Sequence, residues 1–255
     1  MPIIEERRQT GARHRTEGNH GAPVLAARTP APVREREIVM PFEDVVLEGC
    51  LQLPARPIGL VVLAHGGGEG RHGRRNRFMA DLLAGHHLAT LTMDLQTAAE
   101  DQATMFDVEL LGDRLARVRR RLRVVPELQR LPVGYFGIGP HAPAALWAAT
   151  EPDALVGAVV VRGGRPDLAG DRLGLITAPT LFLVGGLDER VRERNYRAAG
   201  AMIGERRVTE LTAPNLPRRA GYLSWRAAYL AAVWFTEHLT ADAAADAAPA
   251  AARSM

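Results

Sequence analysis

The chain has 255 residues, 47% of them hydrophobic, which suffices for one sizeable α/β core with tails or for two small domains, the first being simpler. Its formal charge of +3 arises from 32 basic and 29 acidic residues, and every basic residue is Arg. No basic motif interleaved with aromatics accompanies that surplus, which argues against nucleic acid and leaves a bias toward carboxylate or phosphate partners.

A lone Cys50 excludes an internal disulfide, and no Cys/His spacing suggests a structural zinc site, so no metal or cofactor is expected. The N-terminal stretch is rich in Arg and Glu without the apolar run of a secretory signal, and no run approaches the length of a membrane span. These features predict a soluble cytoplasmic protein that binds neither membrane nor nucleic acid. Residues 1–35 mix Arg, Glu, Gly and Pro and are expected to be a disordered tail. The Ala-rich residues 240–255 form a second tail, leaving a domain over 36–239.

Within that domain short apolar runs alternate with amphipathic stretches, the pattern of strands joined by crossover helices around a mostly parallel sheet. Strands are predicted at 36–41, 45–52, 59–64, 88–93, 132–137, 156–161, 179–185 and 206–211, the first two close enough to form an antiparallel hairpin. Continuous runs such as Leu60-Val-Val-Leu-Ala64 and Thr180-Leu-Phe-Leu-Val184 suit strands covered on both faces. Helical periodicity is clearest at 75–85, 103–124, 141–150, 190–203 and 222–239.

Four segments carry further information. Leu63-Ala-His-Gly-Gly-Gly68 ends a strand in a Gly-rich turn that leads through Arg71-His72 and Arg75-Asn76-Arg77 into a helix. Val133-Gly-Tyr-Phe-Gly137 runs into a sharp turn, Arg162-Gly-Gly-Arg-Pro-Asp-Leu168 follows the next strand, and Pro179 to Asp188 ends another on an acid. In this order and spacing, over about residues 40–238, the chain resembles the dienelactone-hydrolase-like branch of the α/β hydrolases. The resemblance implies an α/β-hydrolase fold, a mostly parallel twisted sheet of about eight strands with helices on both faces. It also implies a Ser or Cys nucleophile on a G-x-S-x-G elbow, an Asp after a later strand and a His before the last helix. Some relatives of this kind carry a phosphoribosyltransferase domain beside the hydrolase region; no segment here resembles one.

Matched residue by residue, that implied triad is degenerate. The elbow falls at Gly137-Ile138-Gly139-Pro140-His141, which puts Gly139 where the nucleophile belongs. No register shift rescues it, because the only serines are Ser224 and Ser254. Ser224 reads as the N-cap of the last helix, and Cys50 as a small buried strand residue. Pro140 has no backbone N–H to give an oxyanion hole, and His141 replaces the small residue after it. Asp188 keeps the acid position, with capping of the following helix as its plain structural reading. The base position matches Asn215, which takes no proton at neutral pH. His65, Gly66, Gly67, Arg71 and His72 fall beside the implied pocket, together with Pro140 and His141.

The leading expectation is therefore a hydrolase-fold protein without ordinary hydrolase chemistry, a pseudoenzyme binding a small anionic ligand or a protein partner. Arg71, Arg75 and Arg77 could hold a carboxylate or phosphate, or could simply pair with surface acids. An alternative has His141, His72 and Asp188 converging to activate water. A third is a structural or assembly role through the Arg-rich helix around Arg117–Arg123, a run that ordinarily marks a solvated face.

Overall fold

The computed structural model describes residues 5–7, 33–65, 70–97, 99–100, 103–185, 188–212 and 219–239. Their strands are β1 (Glu5–Arg7), β2 (Val33–Pro41), β3 (Val46–Pro54), β4 (Gly59–His65), β5 (Leu88–Asp94), β6 (Val133–Ile138), β7 (Val156–Arg162), β8 (Thr180–Gly185) and β9 (Arg206–Leu211). The helices are α1 (Arg74–Gly85), α2 (Val108–Leu122), α3 (Ala142–Ala148), α4 (Glu189–Gly200) and α5 (Arg219–His238).

One sheet takes the order β1-β2-β3-β5-β4-β6-β7-β8-β9. From β5 to β9 every pairing is parallel, while β1, β2 and β3 add an antiparallel edge. The predicted hairpin is β2–β3, closed by Phe42 N–H donating to the Val45 carbonyl at 2.8 Å. All eight predicted strands are present, and this is the expected α/β-hydrolase architecture.

Strand alternation divides the apolar side chains between two cores. In β4, Leu60, Val62 and Ala64 face one core while Val61 and Leu63 face the other; in β7, Val159 and Val161 oppose Ala158 and Val160. The first core is closed by α2, α3 and α4 through residues such as Leu115, Leu146 and Ala198. The second is closed by α1 and α5 through Met79, Leu83, Ala231 and Phe235. Close approach on that face needs Gly134, where a Cβ would stand 2.5 Å from the Phe235 ring.

Three local expectations shift. The predicted 103–124 helix is split: Thr104–Phe106 makes a 3-10 turn, and Asp107 then leaves helical geometry (ψ 89°) to accept from Leu110 N–H at 3.0 Å as the N-cap of α2. Ser224 is not an N-cap, because α5 already begins at Arg219 and carries Gly221 within it. Arg119, in the run expected to be solvated, is 7% exposed, whereas Arg117 and Arg120 do face outward, toward Asp113. Most of residues 1–35 and all of 240–255 lie outside the described residues; within the first stretch Glu5–Arg7 forms β1, and Val33–Glu35 lengthens β2 beyond its predicted start.

Candidate functional site

After β4 the chain builds β5 to one side, and β6 then pairs with β4 on the other. The winding reverses between β4 and β6, and in an open α/β sheet such a reversal leaves a crevice outside the carboxyl ends of the strands. The turn after β6 sits there. Gly139 takes φ +57°, the left-handed conformation of a strained strand-to-helix elbow, and a Cβ built on it would meet nothing within 4 Å. Pro140 follows in the 3-10 turn Gly139–His141 that runs into α3. The turn is braced from the next loop: Gly163 and Gly164 have φ +62° and +70°, and Gly164 lies directly against the Gly139 carbonyl.

The elbow thus has the geometry that would project a side chain away from every described residue, at a residue that has none. His141 is fully buried at 0% exposure, so it does not offer an imidazole to solvent. Asp188 is exposed and serves as the N-cap of α4, its carboxylate accepting from Val191 N–H at 3.2 Å. His72 Nε2 lies 3.7 Å from Glu37 on β2. Six strand spacings separate β2 from β8, about 29 Å across the sheet. His72 and Asp188 therefore do not converge, and His141, fully buried, does not offer its ring to the space between them. Asn215, Gly66 and Gly67 lie outside the described residues; His65 ends β4 in register with Asp94.

Arg71, expected at the pocket, is committed elsewhere. Its guanidinium donates to Glu37 at 3.1 Å, Asp94 at 2.8 Å and Glu48 at 2.6 Å, tying the loop after β4 to β2, β5 and β3. Burial works against its charge, yet the hydrogen bonds to Asp94 and Glu37 together with the charges of Glu48 and Asp94 hold its proton more tightly than usual. For Arg71 the plain reading, pairing with acids, is the one observed. Arg77 likewise faces Glu35 at 3.7 Å. Asn76 is 2% exposed and donates to the Gly70 carbonyl at 2.8 Å, fixing the entry to α1.

On the far wall of the elbow the Thr104–Phe106 turn approaches Gly139–His141. Its connection is secured by Arg114, 4% exposed, which donates to the Leu95 carbonyl and to both carboxylate oxygens of Glu100. That hydrogen bonding lowers the Glu100 carboxyl to about 2, against a smaller desolvation effect.

One residue at this edge was not among the sequence candidates. Arg162 ends β7 beside Ile138 of β6, half-buried, at the close of an otherwise apolar run. Burial first, and then the nearby charge of Arg75, make its charged form less favourable than usual. The available signal was a guanidinium ending Val159-Val-Val161 on a central strand. Among the described residues no group of three potential metal ligands occurs, and no helix is long and apolar enough to cross a membrane.

No family model matches the sequence. A dienelactone hydrolase from Anabaena variabilis ATCC 29413 is 38% identical, with a TM-score of 0.73 over 81% of this chain and 99% of its own. The esterase domain of a Rhodothermus marinus protein, 16% identical, superposes with a TM-score of 0.63 over 81% of this chain and 100% of its own. Est1E from Butyrivibrio proteoclasticus, 11% identical, gives 0.63 over 79% and 98%; at such identities these two bear on fold alone. Two Mycobacterium tuberculosis proteins, from strains H37Rv and CDC 1551 / Oshkosh and provisionally named as phosphoribosyl transferases, are 45% identical over 229 residues, 89% of this chain. The chain spans about half the length, 51%, of those relatives.

Proposed function

Because the chain belongs to the dienelactone hydrolase family of the α/β-hydrolase fold, we propose that it is a member that does not hydrolyse esters or lactones through a nucleophile and instead binds a small molecule or a partner at the carboxyl edge of its sheet. The observation that carries this reading is Gly139, left-handed at φ +57° and without the side chain a nucleophile needs, with no described residue within 4 Å of where its Cβ would stand. Pro140 adds to it by removing the backbone N–H that follows the nucleophile.

The magnitudes support the same choice. Removing the nucleophile of a serine hydrolase costs about 10⁶ in kcat, and further triad losses then add little. One missing oxyanion donor costs about 10² to 10³ on its own. Asp188, the one acid that matches the family pattern, is occupied as a helix cap. We assign the phosphoribosyl transfer in the relatives' names to the half of those proteins that this chain does not span.

The test is hydrolysis of short-chain p-nitrophenyl esters and a simple lactone by the purified chain, beside a heat-killed control. The expected result is no turnover above the control. Turnover that survives repurification and scales with protein concentration overturns the reading.

A further inference from the structure

The sheet has two margins. One ends on the three-residue β1 and the other on the six-residue β9. β9 pairs with β8 in parallel, and among the described residues no strand pairs with its outer side. The ladder fixes which of its backbone groups face outward. Thr180, in register with Arg206, donates its N–H to the Glu205 carbonyl at 2.9 Å. Along a parallel ladder the residues that bond to the neighbouring strand alternate with those that do not. Glu205, Arg207 and Thr209 therefore turn their N–H and C=O toward β8, and Arg206, Val208 and Glu210 turn theirs away from it.

The side chains of those last three residues share one face of the sheet. Leu211 joins the α5 core and Arg207 lies over the Trp234 ring, whereas Val208 packs against the opposite core. Glu210, on the same side as Val208, accepts from the Tyr196 hydroxyl of α4 at 3.2 Å. An open groove of about 600 Å³ lies there, lined by Glu189, Arg192, Glu193, Tyr196, Arg197 and Glu210, so its three acids outnumber its two arginines. Arg192 is already shared between Glu189 and Glu210. Arg206, two positions before Val208 in the same row, has the opposite need. It is exposed, donates to the Gly204 carbonyl at 3.2 Å, and has no ion pair among the described residues.

We propose that β9 is a docking edge for a second copy of this chain, which adds its own β9 in antiparallel register about a two-fold axis at Val208. That register sets Val208 opposite its own symmetry mate and Arg206 opposite Glu210 of the second copy, once on each side of the axis. All of these residues direct N–H and C=O outward, so each pair is a hydrogen-bonded one, with Cα atoms about 5.5 Å apart. Opposite residues of an antiparallel pair share a face, so each Arg206 enters the other copy's groove beside Glu210 and Tyr196. Charged side chains ordinarily protect an edge strand from pairing. Here cation, apolar residue and acid follow at alternate positions, an order that read backwards exchanges the two signs and so attracts its own copy. Centring the axis on Arg206 or on Glu210 would instead set two like charges opposite each other. The interface lies at the side of the sheet, away from its carboxyl edge, and is independent of the ligand-binding reading above.

The experiment is sedimentation equilibrium of the whole chain at concentrations up to about 100 μM, a range suited to a small interface. The wild type is expected to rise from the monomer toward twice the monomer mass. Arg206→Glu sets acid against Glu210 on both sides of the axis and is expected to weaken association about tenfold or more. Glu210→Arg does the same with two cations. The double variant Arg206→Glu/Glu210→Arg exchanges the charges and is expected to regain association. Val208→Pro is expected to abolish it, because proline removes an outward N–H that β8 does not use, a position where an edge strand tolerates proline. Circular dichroism checks that each variant is folded, and the charge-reversal series decides alone if Val208→Pro is not. Three results each overturn the proposal: a wild type that stays monomeric, a folded Val208→Pro protein that still associates, or a double variant no stronger than its single parents.

Discussion

The elbow makes a comparative prediction through its two glycines. Gly139→Ala places a Cβ at φ +57° in open space, so its cost is backbone strain alone, roughly 1–2 kcal/mol. Gly164→Ala, at φ +70°, carries the same strain and also drives a Cβ into the Gly139 carbonyl, with the Gly139 Cα only 3.2 Å away. Both obstacles are backbone, so relief requires one loop to move, and overpacking of that kind costs about 1–3 kcal/mol more. The totals are roughly 1–2 against 2–5 kcal/mol. In a domain of this size 1 kcal/mol moves Tm by about 2–4 °C, so Gly164→Ala should lower Tm further than Gly139→Ala, by about 2–12 °C. Thermal unfolding followed by circular dichroism, with urea midpoints at constant m as a second measure, reads the difference. Equal shifts for the two variants would show that the loop after β7 does not brace the elbow as described.

Two further predictions concern the ion pairs around the site. Arg71→Met leaves Glu37, Glu48 and Asp94 facing one another without their shared cation, and should cost roughly 2–4 kcal/mol at neutral pH, measured by urea unfolding. Glu100, lowered to about 2 by Arg114, stabilises the fold fully above the ordinary carboxylate pKa and loses that contribution as pH falls toward 2. Glu100→Gln should therefore be destabilised at pH 7 and show a flatter acid limb than the wild type; an unchanged acid limb would show that the pair does not govern that range.

Much of the fold was legible because its signals are local. Every predicted strand is present within a few residues, since continuous runs such as Leu60–Ala64 can only be buried on both faces. The hairpin edge followed from the short link between β2 and β3. The sharp turn after β6 was readable from the strand run that ends at Gly137, and its left-handed residue is Gly139. What the sequence could not disclose depended on distance across the sheet. Arg71 and His72 sit close to the Gly-rich turn in the chain, yet their partners lie on β2, β3 and β5, and Glu37 and Glu48 carry no mark of that role. Asp188 and His72 looked equally near a common pocket until strand order set six spacings between β2 and β8. Arg162, read only as the first residue of the segment after β7, was not singled out for the opposite reason: its position is local, but only its partial burial distinguishes it from an ordinary strand-end arginine.

The elbow keeps its shape at a residue with no side chain to present, and packing accounts for that. Gly137, just before it, is closed in by α3: a Cβ there would stand 2.8 Å from the Ala142 Cα and 2.8 Å from the Ala145 Cβ. The chain must therefore turn sharply between β6 and α3 for the helix to seat on the sheet, with Ala144, Ala145, Leu146 and Ala148 all fully buried. A left-handed residue is how it turns, and glycine is the residue for which that conformation carries no Cβ penalty. Pro140, inside the following turn, forgoes an N–H that the start of a helix leaves without an intrahelical partner in any case. The turn that in a hydrolase holds a nucleophile under strain is here a requirement of strand-to-helix packing. The bend is consequently required whether or not the residue at its tip can react.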